Sequence, residues 1–195
     1  MNRRPAVAGT FYPANSQQLH LMLDQYLTEA KNDVKVPKAM IVPHAGYIYS
    51  GPIAASAYAR LKKAHNPITR VVIIGPSHRV AFKGLAVSRA NTFSTPLGKI
   101  PVDQEAVTML LEFPFVEYIE QAHALEHSLE VHLPFLQETL TDFKIVPIVA
   151  GDASPEQVSL VIDALWGGDE TLIVISSDLS HYHDYATAKK LDQLT

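Results

Sequence analysis

Runs of consecutive aliphatic and β-branched residues alternate along this chain with stretches whose apolar positions recur every three or four residues. An unbroken apolar run predicts a strand buried on both faces, and the wider spacing predicts an amphipathic helix. The runs are Lys38–Val42, Arg70–Ile74, Phe143–Val149 and Thr171–Ile175. Asn15 is placed to cap a first helix whose inward stripe is Leu19, Met22, Leu23, Tyr26, Leu27 and Ala30, with Gln18 completing a capping box. Gly51-Pro52 predicts a second helix start with proline in its first turn, followed by Ala54, Ala57, Tyr58 and Leu61 on the buried side. Asp103 caps a third helix that runs to Leu111 and stops before Pro114. Ser154-Pro155-Glu156-Gln157 is a capping box that opens a helix with Val158, Val161, Ile162 and Leu165 facing inward and Gly167-Gly168 closing it. A last helical pattern begins at Tyr185.

The intervening stretches are less regular. Arg3–Pro13 reads as irregular chain, Asn32–Pro37 as a linker and Gly84–Ser88 as a short extended piece. Asn91–Val102, with Pro96, Gly98 and Pro101, reads as a loop or loose hairpin beside the site. The block Ala122–Pro134 reads as a helix entry carrying histidines and glutamates on nearby turns, with Pro134 either kinking it or opening its next section. Alternating strands and helices predict an α/β fold, with a mostly parallel or mixed central sheet and helices on both faces. Residues 1–195 form one expected domain. The pattern breaks off inside a helix soon after a strand, so this reading expects the domain to lack a C-terminal portion.

Polar residues at the strand ends change the picture from fold to chemistry. His44 follows the first run. Ser77 and His78 follow the second, and Ser176, Ser177, Asp178 and His181 follow the fourth. In open α/β sheets the C-terminal strand edge is where ligands bind. Two imidazoles and a carboxylate with open positions are the facial donor set of non-haem Fe(II) chemistry, and zinc hydrolases use similar ligands. Asp178 would complete such a set or orient His181 as an acid/base group. Each histidine alone fits an ordinary loop cap, and the shared edge is what favours a site. Glu126, His127, Glu130 and His132 fit either a contribution to that site or an exposed helix with local ion pairs. Their spacing is not that of the zinc-protease motif, which needs histidines four apart with a glutamate after the first. No nucleophile elbow surrounds the serines. His183 reads as an outer or surface group, and His20, His65 and His123 read as surface residues.

Composition then excludes several classes. There is no cysteine, which removes disulfides, thiolate ligands and a cysteine nucleophile. A net charge of -4 without a basic cluster is no footprint for nucleic acid. No apolar run reaches the roughly 20 residues needed to span a bilayer, and the N-terminus lacks the apolar core of a signal peptide. The default expectation is a cytoplasmic protein with no nucleic-acid or membrane partner.

Four segments together resemble the Memo family. They are Pro43-His44-Ala45-Gly46-Tyr47-Ile48-Tyr49-Ser50-Gly51, Gly75-Pro76-Ser77-His78, the stretch from Glu126 to Pro134, and Ser176-Ser177-Asp178-Leu179-Ser180-His181. The opening Arg4-Pro5-Ala6-Val7-Ala8-Gly9-Thr10-Phe11-Tyr12-Pro13 is similar to that family's N-terminal signature, and the resemblance spans essentially the whole chain. The family, also called AmmeMemoRadiSam system protein B, is similar in fold to class III extradiol dioxygenases. The resemblance implies that His44 and His78 bind a mononuclear metal, Fe(II) first and copper or zinc as alternatives. It places Asp178 and His181 in the same pocket, with His127 as an acid/base or outer group. It implies oxygen-dependent chemistry on a small substrate, and an association with a radical-SAM protein and a small partner. The family draws a further ligand, often cysteine or histidine, from a C-terminal region that has no match here, so Asp178 or His181 would have to substitute. Two other functions remain open at this point: a non-catalytic module that recognises a peptide or protein in the cleft, and a metal-dependent hydrolase.

Overall fold

The computed structural model describes residues 1–30, 35–64 and 67–194. His65 and residues 32–34 of the expected linker lie outside the described residues. In chain order the elements begin with β1 (Asn2–Arg3), α1 (Ser16–Glu29), β2 (Ala39–Val42), α2 (Tyr47–Tyr58) and β3 (Arg70–Pro76). Next come β4 (Leu85–Val87), β5 (Thr92–Thr95), β6 (Gly98–Pro101), α3 (Gln104–Leu110), β7 (Val116–Tyr118) and α4 (Glu120–Ala124). The chain continues through α5 (Leu133–Thr139), β8 (Lys144–Ala150), α6 (Pro155–Leu165), β9 (Thr171–Ser176) and α7 (Tyr185–Asp192).

A six-stranded sheet has the order β2-β9-β3-β8-β4-β7, and a three-stranded sheet has the order β1-β5-β6. In the larger sheet only the β4–β8 pairing is antiparallel. Val71, Val72, Ile73 and Ile74 of β3 are all buried. Successive strand residues face opposite sides, so both faces of the sheet are covered at β3, as its unbroken apolar run requires, whereas edge strand β2 is covered on one face only and leaves Ile41 exposed. The helices form two groups: α1, α2 and α5 pack on one another, while α3 packs against α6 and β8. No described helix is long and apolar enough to cross a membrane.

Three expectations need correction. Strand β3 does not end at Ile74 with the apolar run; it continues through Gly75 and Pro76, which still pairs with Ala150 of β8. Its pairing with β9 has already ended at Ile74, so the donor that proline lacks falls at a released strand end, where it is tolerated. Helix α2 begins at Tyr47, four residues before Gly51, and Pro52 lies inside it. Gly51 there serves close packing, because a Cβ at that position would come 2.5 Å from the Tyr26 ring of α1. The Asn91–Val102 segment is a true hairpin, β5 paired with β6, and β1 adds to its edge. Its far end meets Ile145 at the start of β8, at the edge of the sheet opposite the histidines.

Candidate metal centre

Parallel pairing of β2, β9 and β3 brings three strand ends to one edge. Val42 lies beside Ser176, and Ile74 lies beside Ile175. His44, Asp178 and His78 each stand two residues past their strand, and the edge is extended by bonds from Ser177 N–H to the Val42 carbonyl (3.0 Å) and from Ser77 N–H to the Ala150 carbonyl (2.8 Å). The expected convergence of these segments is therefore a direct result of strand register.

The block Glu120–Thr139 is not one helix. It is α4, an irregular stretch, a 3-10 turn at Glu130–His132, and then α5, opened by Pro134 in its first turn. The irregular stretch passes close over the end of β3. A Cβ on Gly75 would meet Ser128 Oγ at 2.8 Å and Leu129 Cδ2 at 2.9 Å, so a side chain there would force this stretch to shift. The approach delivers His127 to the site. His44, His78 and His127 each present a ligand nitrogen, and these atoms lie within 4.8 Å of one another. The rings of His78 and His127 stack at 4.4 Å, and His44 meets both edge-on at 5.1 and 5.7 Å.

Hydrogen bonds fix which nitrogens are free. Ser176 Oγ donates its one proton to the Ser128 carbonyl (2.7 Å), so toward His44 Nδ1 (2.6 Å) it can only accept. Nδ1 of His44 carries the proton, and Nε2 carries the lone pair. That Nε2 is buried and has no hydrogen-bond partner among the described residues. Burial, foremost, holds the His44 imidazole down to about 4, so it is neutral at neutral pH. His127 is also lowered, mainly by burial.

Glu126 holds the second imidazole. Its Oε1 lies 2.8 Å from His78 Nδ1, and its Oε2 accepts from the His78 backbone N–H (2.7 Å). Oε1 also accepts from the backbone N–H groups of His127 and Ser128, each at 2.9 Å. Burial pushes this carboxyl up, but the bonds from His78 and Ser128 outweigh it, so Glu126 sits below the usual carboxylate range. An ionised Glu126 only accepts, which puts the His78 proton on Nδ1 and leaves Nε2 as the donor atom.

Asp178 Oδ1 accepts from the His44 backbone N–H at 2.5 Å, and Oδ2 lies 3.6 Å from His44 Nε2. Asp178 is therefore beside the cluster, as expected. His181 is half exposed, with Nε2 4.0 Å from Asp178 Oδ2 and Nδ1 directed at the Leu179 carbonyl (3.0 Å). It stands at the rim, outside the three-histidine group. His183 and His20 are exposed as expected. His123 is not a surface residue: it is buried, with Nε2 3.1 Å from the Ala86 carbonyl.

The sequence reading passed over the anchoring roles of Glu126, Ser176 and Ser128. Only the clustering of Glu126 with histidines hinted at the first, and nothing in the sequence signalled the Ser128 carbonyl.

Comparison with known proteins then decides the family. The family model described as Memo-like protein matches residues 3–195. The chain belongs to the Memo family. A MEMO1 family protein of Aquifex aeolicus is 40% identical to it over 197 residues, covering 98% of this chain and 72% of the relative. One from Ignicoccus hospitalis is 41% identical over 208 residues, covering 97% and 73%. One from Thermotoga neapolitana is 38% identical over 210 residues, covering 100% and 76%. In this Memo chain the three-histidine cluster is a group that could hold a metal ion, because its ligand nitrogens are close and His44, buried beneath half-buried His127 and exposed His78, is held with a free lone pair.

Proposed function

We propose that this Memo-family chain binds one transition-metal ion through His44, His78 and His127, Fe(II) first and copper or zinc as alternatives, and acts as an oxygen-dependent oxidoreductase on a small substrate. The observation that carries the reading is the buried, unpartnered Nε2 of His44 within this cluster. A lone pair kept from water and from every described donor costs stability unless something occupies it. Neutral imidazoles suit iron, copper and zinc, and leave the choice among them to geometry and supply.

When bound, Fe(II) supplies a redox centre with positions open to small molecules. The chain's own groups do the rest. Glu126 and Ser176 fix the two imidazole tautomers before any ion arrives. The Phe11 ring, 4.7 Å from His127, shields that face from water. Asp178 orients the loop by holding the His44 backbone. His181, with Nδ1 committed to the Leu179 carbonyl, offers Nε2 at the rim to take up or release a substrate proton.

The test is an anaerobic Fe(II) titration, followed by nitric oxide as an electron-paramagnetic probe for an open position. The expected result is one ion per chain and a spin-3/2 nitrosyl signal. Iron that binds but gives no such signal would remove the oxygen-dependent part of the proposal. A second reading, recognition of a peptide in the cleft, draws on exposed Ile48 and Tyr49 just after His44 and exposed Leu179 and Tyr182 just after Asp178. Peptide binding that chelators do not change would favour it.

A further inference from the structure

The N-terminal segment touches two of the three histidine-bearing stretches, the block around His127 and the turn after His44. Arg3 is buried and spreads its guanidinium over the block 123–130. Its Nε donates to the His123 carbonyl (3.1 Å), Nη2 donates to the Glu126 carbonyl (2.6 Å), and Nη1 pairs with the Glu130 carboxylate. Glu130 is fully buried and also accepts from Ala6 N–H (2.7 Å), Val7 N–H (3.0 Å) and Tyr12 OH (2.5 Å). Its carboxylate thus closes a loop of chain, residues 3–12, onto the site-bearing block. Farther along, the Phe11 ring packs on His127, and the Phe11 carbonyl accepts from Tyr47 N–H (2.8 Å), just past the His44 turn.

The Glu126 contact is the informative one. Arg3 holds the Glu126 carbonyl from one side, while the Glu126 carboxylate holds His78 on the other. An arginine fork fixes the orientation of what it binds as well as its distance, and a lysine does not. We propose that Arg3 is a positioning residue for the histidine cluster, acting through Glu126 on His78 and His127, and that Arg3 and Phe11 are the two arms of a clasp that sets imidazole geometry, with Tyr12 only fastening the segment to Glu130. For its metal readout this rests on the metal-binding reading above; for its geometry it does not.

The experiment compares Arg3→Lys and Tyr12→Phe with the parent chain. Lysine keeps a cation against Glu130 but gives up the fork to His123 and Glu126. Tyr12→Phe removes one bond to Glu130 and touches neither Glu126 nor a histidine. Imidazole nitrogen–proton spectra of the metal-free chains report the His78 and His127 tautomers and ring environments directly. Affinity for Co(II), as a spectroscopic stand-in for Fe(II), is measured in parallel, well below each chain's unfolding temperature. The clasp predicts that Arg3→Lys disturbs the His78 and His127 signals and weakens Co(II) about tenfold, within the range for outer partners of metal ligands. Tyr12→Phe is expected to lower the unfolding temperature and leave both readouts in place. Unchanged imidazole signals in Arg3→Lys, or equal disturbance in Tyr12→Phe, would overturn the proposal. If Arg3→Lys does not fold, Phe11→Leu takes its place: it must shift the His127 signal, and an unshifted signal overturns the clasp. If the parent chain binds no Co(II), the metal-binding reading falls, and the imidazole spectra alone decide the clasp.

Discussion

The imidazoles of His78 and His127 lie stacked with their planes 25° apart, and one carboxylate oxygen, Oε1 of Glu126, faces both. That oxygen is 2.8 Å from His78 Nδ1 and 3.4 Å from His127 Nδ1. A single buried side chain therefore sets the direction of one lone pair and the position of the neighbouring ring.

Glu126→Gln keeps the shape and loses the charge. Its amide NH2 also faces N–H donors that then lose their acceptor, so part of the four-bond arrangement breaks. The expected effect is metal affinity lower by about 10- to 100-fold, the usual range for an outer partner of a ligating histidine. Competition titrations against a chromophoric chelator measure it. Affinity equal to the parent chain would remove Glu126 from the account.

Ser176→Ala strips His44 Nδ1 of its acceptor and the Ser128 carbonyl of its donor, both in a buried setting. Groups left unpaired in this way cost about 1–3 kcal/mol each. Urea unfolding is expected to show a loss of that order, and the freed His44 ring is expected to populate both tautomers in its nitrogen–proton spectrum. A single unchanged tautomer would contradict the role given to Ser176.

Acid should destabilise the chain well before its carboxylates titrate. Burial holds His123 down to about 4 and His132 down to about 3. Both are neutral in the folded chain, whereas the unfolded chain takes up their protons below about 6.5. The unfolded state thus binds more protons below that pH, and stability falls as pH drops from about 6.5 toward 4, by about 1.4 kcal/mol per unit for each fully displaced group. Exposed His20 is raised, chiefly by its bond to Glu138, and works weakly in the opposite sense. Urea midpoints at pH 8, 6 and 5 check the slope: a fall of about 0.8 kcal/mol per displaced histidine between the first two, and a steeper one of about 1.2 kcal/mol per histidine between pH 6 and 5. A flat profile to pH 5 would contradict the burial of these histidines.

Gly75→Ala places a methyl against Ser128 Oγ and Leu129 Cδ2, which hold the irregular stretch on β3. Overpacking of this kind costs about 1–3 kcal/mol. Because the displaced atoms sit next to His127, calorimetric unfolding and metal affinity are both expected to drop. A loss of stability alone would place the strain elsewhere.

Much of this was legible in the chain itself. Strands β2, β3, β8 and β9 are apolar runs, and a histidine or aspartate after such a run reports its place at the sheet edge because parallel strands end together. Local caps at Asn15, Asp103 and Ser154 are equally local signals and appear as expected. The block from Glu126 to His132 was opaque for the opposite reason. Glutamates and histidines at close spacing look like a solvated helix, and the partner that makes Glu130 a buried group is Arg3, 127 residues away. His123 sits between two alanines with no periodic cue, and its burial depends on β4, whose Ala86 carbonyl it meets. Pro52 misled because proline favours helix starts, whereas here it lies inside a helix that begins at Tyr47, and Gly51 before it serves packing against Tyr26.

The central claim is that the three imidazoles form one metal site. It is tested most directly by anaerobic metal titration of the parent chain beside His44→Ala/His78→Ala and His127→Ala. The account expects one Fe(II) per parent chain, no measurable binding in the double variant, and binding weakened at least tenfold in His127→Ala. A parent chain that binds no Fe(II), copper or zinc, or a double variant that binds as tightly as the parent, would contradict it.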